Sequence, residues 1–252
     1  KTTTMLNFND YLYNEEAINE GVYDKHIFKG FFIAGGPGSG KSWVSARTLE
    51  GSGMKVINTD LGLERYAMKI GLDLKMDTMT PFEKKLKDGF RTRAKRGTQT
   101  QLQLAIDGRL GLILDSTARD IPRIESEKRG LDYVGYDTYC IFVNTRLEVA
   151  LKRNQLRTRT VPDAIVIQNW KSVQNNRKKL QNIFGSSNYL EVDNNEDLQY
   201  INNQVYKSIN KLKRKPYSKQ MAKDWVANEL EKKRATGAAA TKKKGFFSRF
   251  KK

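Results

Sequence analysis

The chain has 252 residues, of which 38% are hydrophobic, so it is long enough to bury one substantial core with additional segments. A single cysteine (Cys140) excludes an internal disulfide, and a single histidine (His26) excludes metal sites built from Cys and His clusters. The net charge is +18, of which residues 213–252 carry +11, so we expect anionic partners: nucleotides, nucleic acids or an anionic surface.

The predicted elements alternate between strands and helices along most of the chain. Residues 1–27 are a lead-in segment, 28–212 form the predicted domain, and 213–252 form a basic, partly disordered tail with a helix at 218–234. We predict strands at 30–34, 54–58, 110–114, 138–143 and 189–192, and helices at 42–49, 59–68, 81–106, 146–154, 163–183 and 196–212. Thr80 is the expected N-cap of the third helix, with Pro81 in its first position. Such alternation indicates βαβ units and a mostly parallel sheet.

A glycine-rich motif follows the first predicted strand. Residues 35–42 read Gly-Gly-Pro-Gly-Ser-Gly-Lys-Ser and fit the P-loop pattern G-x-x-x-x-G-K-[ST]. Glycines allow backbone N–H groups to surround a phosphate, and the next helix adds its positive N-terminal end. We therefore expect an α/β, three-layer P-loop NTPase fold that binds ATP and Mg²⁺. The expected nucleotide-binding residues are Gly35, Gly36, Pro37, Gly38, Ser39, Gly40, Lys41, Ser42 and Trp43, with Ser42 also a Mg²⁺ ligand.

Two aspartates follow apolar strands. Asp60 comes after residues 54–59, and Asp115 comes after Leu112-Ile113-Leu114. In a parallel sheet both strand ends lie at the edge that carries the P-loop. An aspartate there can hold Mg²⁺ or accept a proton from an attacking hydroxyl, and the alternative is that it caps the next helix. We predict that Asp60 is the general base and that Asp115 is a possible Mg²⁺ ligand.

Three arginines cluster later in the chain. Arg153 and Arg157 are four residues apart and share a helix face, and Arg159 lies just beyond them, before Val161-Pro162 ends the pattern. Three guanidinium groups near a triphosphate suggest a lid that stabilises phosphoryl transfer. The alternative is ordinary solvated surface charge.

Residues 28–185 resemble the P-loop kinases that include polynucleotide 5′-hydroxyl kinases and zeta-toxin-type kinases. The resemblance rests on the P-loop, Val56-Ile57-Asn58-Thr59-Asp60, Leu114-Asp115-Ser116-Thr117 with Arg119, and Lys152-Arg153-Asn154 leading to Arg157. It implies that Asp60 is the general base, that Asp115 and Arg119 face the substrate, and that Arg157 belongs to the lid. One departure is Leu63, where the family has an arginine. Arg65 lies nearby, and we expect it to bind substrate.

Two basic segments are candidates for polyanion binding. The predicted helix at 81–106 carries a basic stretch at 84–96, which can bind a nucleic-acid backbone or form a solvated face. Residues 242–252 interleave three Phe with six basic residues. That composition suits single-stranded nucleic acid, an anionic membrane surface or an acidic protein.

The sequence therefore predicts an ATP- and Mg²⁺-dependent kinase that phosphorylates a hydroxyl, with a nucleic-acid 5′-hydroxyl as the first candidate acceptor. A nucleotide or nucleotide-sugar is the second candidate acceptor. The alternative from another class is a non-catalytic, nucleotide-binding structural protein of viral type. The chain contains no stretch of 18 apolar residues and no signal pattern, which predicts a cytoplasmic protein, in a host cytoplasm or a virion if viral.

Overall fold

The computed structural model describes residues 22–24, 26–74, 78–157, 160–195 and 203–248, the last twelve of these by backbone alone. The lead-in segment predicted at 1–27 falls mostly outside these residues. The strands are β1 Lys29–Ala34, β2 Lys55–Ile57, β3 Leu112–Ser116, β4 Asp137–Asn144 and β5 Tyr189–Asp193. The helices are α1 Lys41–Thr48, α2 Thr59–Lys69, α3 Pro81–Asp107, α4 Ile121–Tyr133, α5 Leu147–Gln155, α6 Asp163–Phe184, α7 Asn203–Lys213 and α8 Gln220–Ser248.

The five described strands form one parallel sheet in the order β2-β3-β1-β4-β5. β1 is central and buried along its whole length. Its residues alternate between two apolar clusters: Phe32 packs on one face of the sheet and Phe31 on the other. Helices α4 and α6 cover the first face, and α1 and α7 cover the second. The three-layer α/β fold is therefore confirmed, and the carboxyl ends of β1, β2 and β3 share one edge.

Helix α3 begins where its sequence predicts. The Thr80 hydroxyl accepts a hydrogen bond from the Glu83 backbone N–H, and the Glu83 carboxylate accepts one from the Thr80 backbone N–H. Pro81 occupies the first helical position, where a missing N–H costs nothing. This capping box fixes the start of a 27-residue helix that packs along α2.

Two elements differ from the prediction. Helix α4 was not predicted, although Asp120 caps it through the Arg123 N–H and Pro122 lies in its first turn. β3 begins two residues later than expected, because Leu110 leads into the strand from the end of α3. β3 also ends two residues later than expected, at Ser116, so Asp115 lies within the strand and not in the loop beyond it.

The segment after α7 packs at the amino edge of the sheet, opposite the P-loop. The Asp137 carboxylate accepts hydrogen bonds from the backbone N–H and the hydroxyl of Ser218. Tyr217 and Trp225 make edge-to-face contacts with Phe28, at ring-centroid distances of 6.4 and 5.5 Å. Residues 217–226 thus extend the core of the body.

Helix α8 continues to Ser248, well beyond the predicted end at 234. The helix predicted at 218–234 therefore ends too early. Ala has the highest helix propensity of all residues, so an alanine-rich stretch extends a helix that is already anchored. The last four residues of the basic tail lie outside the described part of the chain. Within that part, no helix is both long and apolar enough to cross a membrane.

Candidate functional site

The P-loop connects β1 to α1, and its backbone requires glycine. Gly38 and Gly40 have φ values of +73° and +83°, a region that other residues rarely adopt. A Cβ at Gly38 would lie 2.2 Å from the Ala150 carbonyl oxygen, and one at Gly35 would lie 2.7 Å from the Val143 carbonyl oxygen. The loop is therefore packed against β4 and α5 in a shape that only glycine allows.

Side chains from neighbouring loops donate hydrogen bonds to the P-loop backbone. The Ser39 carbonyl accepts hydrogen bonds from the Thr145 hydroxyl at 3.2 Å and from the Asn194 side-chain amide at 2.7 Å. The Trp170 indole donates to the Thr145 carbonyl at 2.7 Å, which ties α6 to the same place. Ser39 is buried, and its hydroxyl has no hydrogen-bond partner among the described residues. These contacts hold the Ser39 carbonyl, while the Ser39 N–H donates to the Gly36 carbonyl at 3.3 Å.

Lys41, Ser42 and Trp43 form the first turn of α1. The half-buried Lys41 ammonium donates to the Gly36 carbonyl at 3.1 Å and so lies over the loop. Ser42 is exposed at the helix N-terminus, where a Mg²⁺ ligand is expected. Trp43 is half-buried against the cluster on the α1 side, with the Arg47 guanidinium 5.8 Å from its ring centroid.

Asp115 and Asn58 join the carboxyl ends of β3 and β2. The Asn58 amide donates to Asp115 Oδ2 at 2.7 Å, while Asp115 Oδ1 is buried and has no hydrogen-bond partner among the described residues. Burial raises the pKa of Asp115, the Lys41 ammonium opposes that rise, and the Asp60 carboxylate adds to it. A buried carboxylate oxygen without a partner is expensive, so this atom is suited to a metal ion or to a proton.

Asp60 is not the cap of α2. That position belongs to Asn58, whose side-chain oxygen accepts a hydrogen bond from the Asp60 backbone N–H at 2.8 Å. The capping alternative for Asp60 is therefore wrong, since the neighbouring asparagine fills the role. The Asp60 carboxylate stands in the first turn of α2, half-exposed at the carboxyl edge of the sheet.

Four charged groups meet at this edge. Burial lowers the pKa of Lys41, Asp115 and Asp60 act in the opposite direction, and Arg157 reinforces the lowering. Arg157 also acts to lower the pKa of Asp115. Each of these charges is thus close enough to alter the proton affinity of Lys41. The P-loop lysine, both predicted aspartates and one predicted lid arginine share one electrostatic site.

The segment that carries Arg157 is closed by an asparagine clamp. The Asn154 amide nitrogen donates to the Val161 carbonyl at 2.7 Å, and its oxygen accepts from the Val161 N–H at 3.2 Å. Asn154 is only 1% exposed, whereas Arg157 stands exposed in the loop that the clamp closes. Arg159 lies outside the described residues.

Arg153 contacts the loop that follows β5. One of its guanidinium nitrogens donates to the Asn194 carbonyl at 2.7 Å. Because Asn194 also donates to Ser39, this contact links α5 to the underside of the P-loop. The prediction that Arg153 and Arg157 share a helix face is wrong, because α5 ends at Gln155 and Arg157 lies in the following turn.

The remaining predicted substrate residues lie around the rim. Arg119 is exposed and donates to the Asn169 side chain on α6 at 3.0 Å. Arg65 is exposed on α2, five residues after Asp60 and so about 140° further around a regular helix. Leu63 is fully buried between α2 and α3 together with Ala67 and Ala94. Leu63 therefore belongs to the apolar core between the two helices.

The described residues contain no group of three or more His, Cys, Asp or Glu side chains that can hold a metal ion. Mg²⁺ does not need such a cage, because it commonly takes one or two protein oxygens together with phosphate oxygens and water. Ser42 and the unpartnered oxygen of Asp115 fit that donor set.

Family and structural comparisons agree with this arrangement. A family model described as "AAA domain" matches residues 31–180, which is more than half of the chain. The chain belongs to this AAA domain family. The matched residues run from β1 through most of α6 and include the P-loop, both aspartates and Arg157. No curated protein matches the chain.

Several solved structures share the fold. The structure reported for the PezAT toxin-antitoxin system of Streptococcus pneumoniae matches with a TM-score of 0.51 and 14% identity, over 81% of this chain and 92% of that chain. A gluconokinase from Sinorhizobium meliloti 1021 matches with a TM-score of 0.45 and 16% identity, over 75% and 95%. The Pnkp1/Rnl/Hen1 RNA repair complex matches with a TM-score of 0.46 and 18% identity, over 62% and 48%. At 14% identity the likeness to the PezAT structure concerns the fold alone.

Three asparagines contribute to the site, and we assigned none of them a role from the sequence. Asn58, Asn154 and Asn194 each use both the donor and the acceptor of the residue to join two loops. One sequence pattern could have indicated a site role for Asn58 and Asn194, because each lies at the carboxyl end of an apolar strand, as the aspartates do. Asp115 and Ser39, the partners of Asn58 and Asn194, are distant in sequence, so no local pattern shows those pairings, whereas Asn154 and Val161 are seven residues apart.

Proposed function

We propose that the protein is an ATP- and Mg²⁺-dependent kinase that transfers the γ-phosphoryl group to a hydroxyl. The observation that carries this proposal is the meeting of Lys41, Asp60, Asp115 and Arg157 at the carboxyl edge of the sheet. Phosphoryl transfer needs cations around the phosphates, a metal ligand and a base for the acceptor proton, and these four groups supply that set together with the loop.

The residues fit ATP and Mg²⁺ by two independent criteria. A Cβ would collide with neighbouring backbone at both Gly35 and Gly38, so the loop is a cradle that only glycine permits. Asp115 Oδ1 is buried and has no hydrogen-bond partner within the described part of the chain. The loop N–H groups and Lys41 would hold the phosphates, and Ser42 and Asp115 would hold the metal ion. When bound, Mg²⁺ neutralises charge on the β- and γ-phosphate oxygens.

The Asp60 carboxylate would accept the proton of the acceptor hydroxyl. The acceptor oxygen forms a bond to the γ-phosphorus as the bond from that phosphorus to the β–γ bridging oxygen breaks, and ADP leaves with the bonding electron pair. Arg157, exposed on the clamped loop, can meet the negative charge on the transferred group. A general base of this kind contributes about 10²–10⁴ in rate.

The other predicted residues take supporting roles in this proposal. Arg153 fixes the P-loop through Asn194 and Ser39. We propose that Arg119 contacts the acceptor and that Arg159 belongs to the lid, while Trp43 packs beside the phosphate loop. Arg65 lies on a different side of α2 from Asp60, and we propose that it contacts a part of the substrate away from the reacting hydroxyl.

We favour a nucleic-acid 5′-hydroxyl as the acceptor. The supporting observation is the exposed basic surface of α3, where Lys85 and Arg93 flank the exposed ring of Phe82. The second candidate is a nucleotide or nucleotide-sugar acceptor, as in zeta-toxin-type kinases, whose fold likeness to this chain leaves the acceptor open.

A panel of acceptors tests the proposal. Single-turnover transfer from γ-labelled ATP is measured with 5′-hydroxyl oligonucleotides, nucleoside monophosphates and nucleotide-sugars. We expect labelled oligonucleotide as the fastest product. Preferred labelling of a nucleotide-sugar would move the protein to the second acceptor class, and no labelled product with ATP still bound would identify a non-catalytic nucleotide-binding protein.

A further inference from the structure

Helices α2 and α3 form an antiparallel hairpin that rises above the site. Gly62 faces Ala94, and Tyr66 stacks on Phe90 with ring centroids 5.7 Å apart and planes 13° from parallel. Residue numbers therefore increase along α2 as they decrease along α3. Because a helix rises 1.5 Å per residue, Phe82 lies roughly 18 Å beyond the level of Ala94 along the hairpin. The first half of α3 projects past the carboxyl edge of the sheet, on the side where Asp60 stands.

This projecting part carries a groove of about 430 Å³. Its lining residues are Phe82, Lys85, Leu86, Gly89, Phe90 and Arg93. Phe82 is 73% exposed, so its ring is available for stacking. The Arg93 guanidinium lies 5.9 Å from the Tyr66 ring centroid. Gly89 leaves the middle of the groove open, because a Cβ there would meet nothing within 4 Å.

The chemistry of the groove matches a single-stranded nucleic acid. Bases stack on aromatic rings while lysine and arginine meet the phosphates, and such binding tolerates any base because each has a flat π face. A protein partner is less well matched, since the cores of protein interfaces are depleted of lysine.

We propose that this groove binds the nucleotides of a single-stranded acceptor that lie beyond the 5′-terminal one, by stacking on Phe82 and by phosphate contacts with Lys85 and Arg93. The proposal rests on the proposed function for its acceptor end, because a strand held here leads down the hairpin toward Asp60. The groove thus selects an oligonucleotide over a mononucleotide.

Binding of a fluorescent single-stranded oligothymidylate with a free 5′-hydroxyl tests the groove on the full chain without ATP. Three variants disrupt it: Phe82→Ala, the pair Lys85→Ala with Arg93→Ala, and Gly89→Leu. The last fills the groove, and it replaces a helical glycine with a better helix former. We expect each to weaken binding roughly tenfold or more, and the charge pair to flatten the dependence of affinity on salt.

Matched controls separate the groove from general charge and from helix stability. The pair Lys84→Ala with Lys95→Ala removes the same charge from the opposite side of α3. Gly130→Leu makes the same change at an exposed, open glycine of α4. Both controls should bind within about twofold of wild type, apart from a small uniform charge effect. An equal loss of oligothymidylate affinity in the groove pair and in the control pair would overturn the proposal. The proposal would also fail if polyglutamate displaced the oligonucleotide as readily as unlabelled nucleic acid does.

Kinetics separate this proposal from the kinase assignment. If both hold, the groove variants lower kcat/KM for an oligonucleotide far more than for a nucleoside 3′-phosphate, which is too short to reach the groove. If no acceptor is phosphorylated but the groove variants lose oligonucleotide binding, the groove stands and the kinase assignment fails. If transfer to oligonucleotides is normal in all groove variants and their binding is unchanged, the kinase stands and the groove proposal fails.

Discussion

The asparagine that joins β2 to β3 gives the sharpest structural prediction. Asn58 caps α2 with its oxygen and steadies Asp115 with its nitrogen. Asn58→Ala removes both contacts, whereas Asn58→Asp keeps a good cap and places a second carboxyl group at hydrogen-bond distance from Asp115. The two variants therefore separate the cap from the contact to the carboxylate.

The expected losses follow from these contacts. A lost cap costs about 1 kcal/mol and a lost hydrogen bond to a charged group about 1.5–3 kcal/mol, so Asn58→Ala should lose roughly 2.5–4 kcal/mol of unfolding free energy. Asn58→Asp keeps the first contribution but adds like-charge repulsion at neutral pH.

The pH dependence has a definite sign. Burial already raises the pKa of Asp115, and a second carboxylate raises it further. When the folded-state pKa lies above the unfolded-state pKa, ionising the carboxyl lowers the unfolding free energy. This loss is complete at high pH and shrinks as the pH falls toward the unfolded-state pKa. On acidification one carboxyl can take up a proton and donate to the other. The deficit of Asn58→Asp relative to wild type should therefore shrink on acidification, and by more than that of Asn58→Ala.

Urea unfolding of wild type and both variants at about pH 8 and pH 5 measures these differences, with the m-value as a check on two-state behaviour. An Asn58→Asp variant as stable as wild type at pH 8, or a deficit that grows at pH 5, would refute the contact between Asn58 and Asp115.

Three further predictions concern the phosphates and the tail. Lys41→Ala should abolish phosphoryl transfer without lowering the unfolding temperature, because burial disfavours the charged form of Lys41; full activity would refute the P-loop assignment. Arg157→Ala should lower kcat more than ATP affinity, while Lys152→Ala on the exposed face of α5 serves as the charge control; identical kinetics in the two variants would make Arg157 ordinary surface charge. Deletion of residues 236–252 should leave turnover on small acceptors within about twofold and weaken polyanion binding in a salt-dependent way, and unchanged binding would transfer that role to α3.

The fold was largely predictable, because its strongest signals are local. β1 and β4 are continuous apolar runs, and the P-loop marks the turn between β1 and α1. Thr80 and Pro81 fix the start of α3 within one residue. Helix α4 was missed because its buried positions, Ile124 and Leu131, are few and its remaining surface is charged.

The charged residues of the site could be predicted from the sequence, but the asparagines that hold the surrounding loops could not. Asp60, Asp115, Lys41 and Arg157 carry recognisable spacing, and the structure brings them into one electrostatic site. The asparagine contacts depend on the sheet order β2-β3-β1-β4-β5, which makes neighbours of loops that are distant in sequence. Helix α8 was underestimated for a similar reason, because its anchor on Phe28 is a tertiary contact.

The general base is the central claim, and one pair of measurements on Asp60→Asn tests it most directly. ATP affinity is measured by equilibrium titration, and transfer to a 5′-hydroxyl oligonucleotide is measured in a single turnover at saturating ATP. We expect unchanged ATP affinity and a transfer rate lower by roughly 10²–10⁴. A collapse of ATP affinity with a normal rate at saturation would instead make Asp60 a nucleotide or metal ligand and contradict its role as the base.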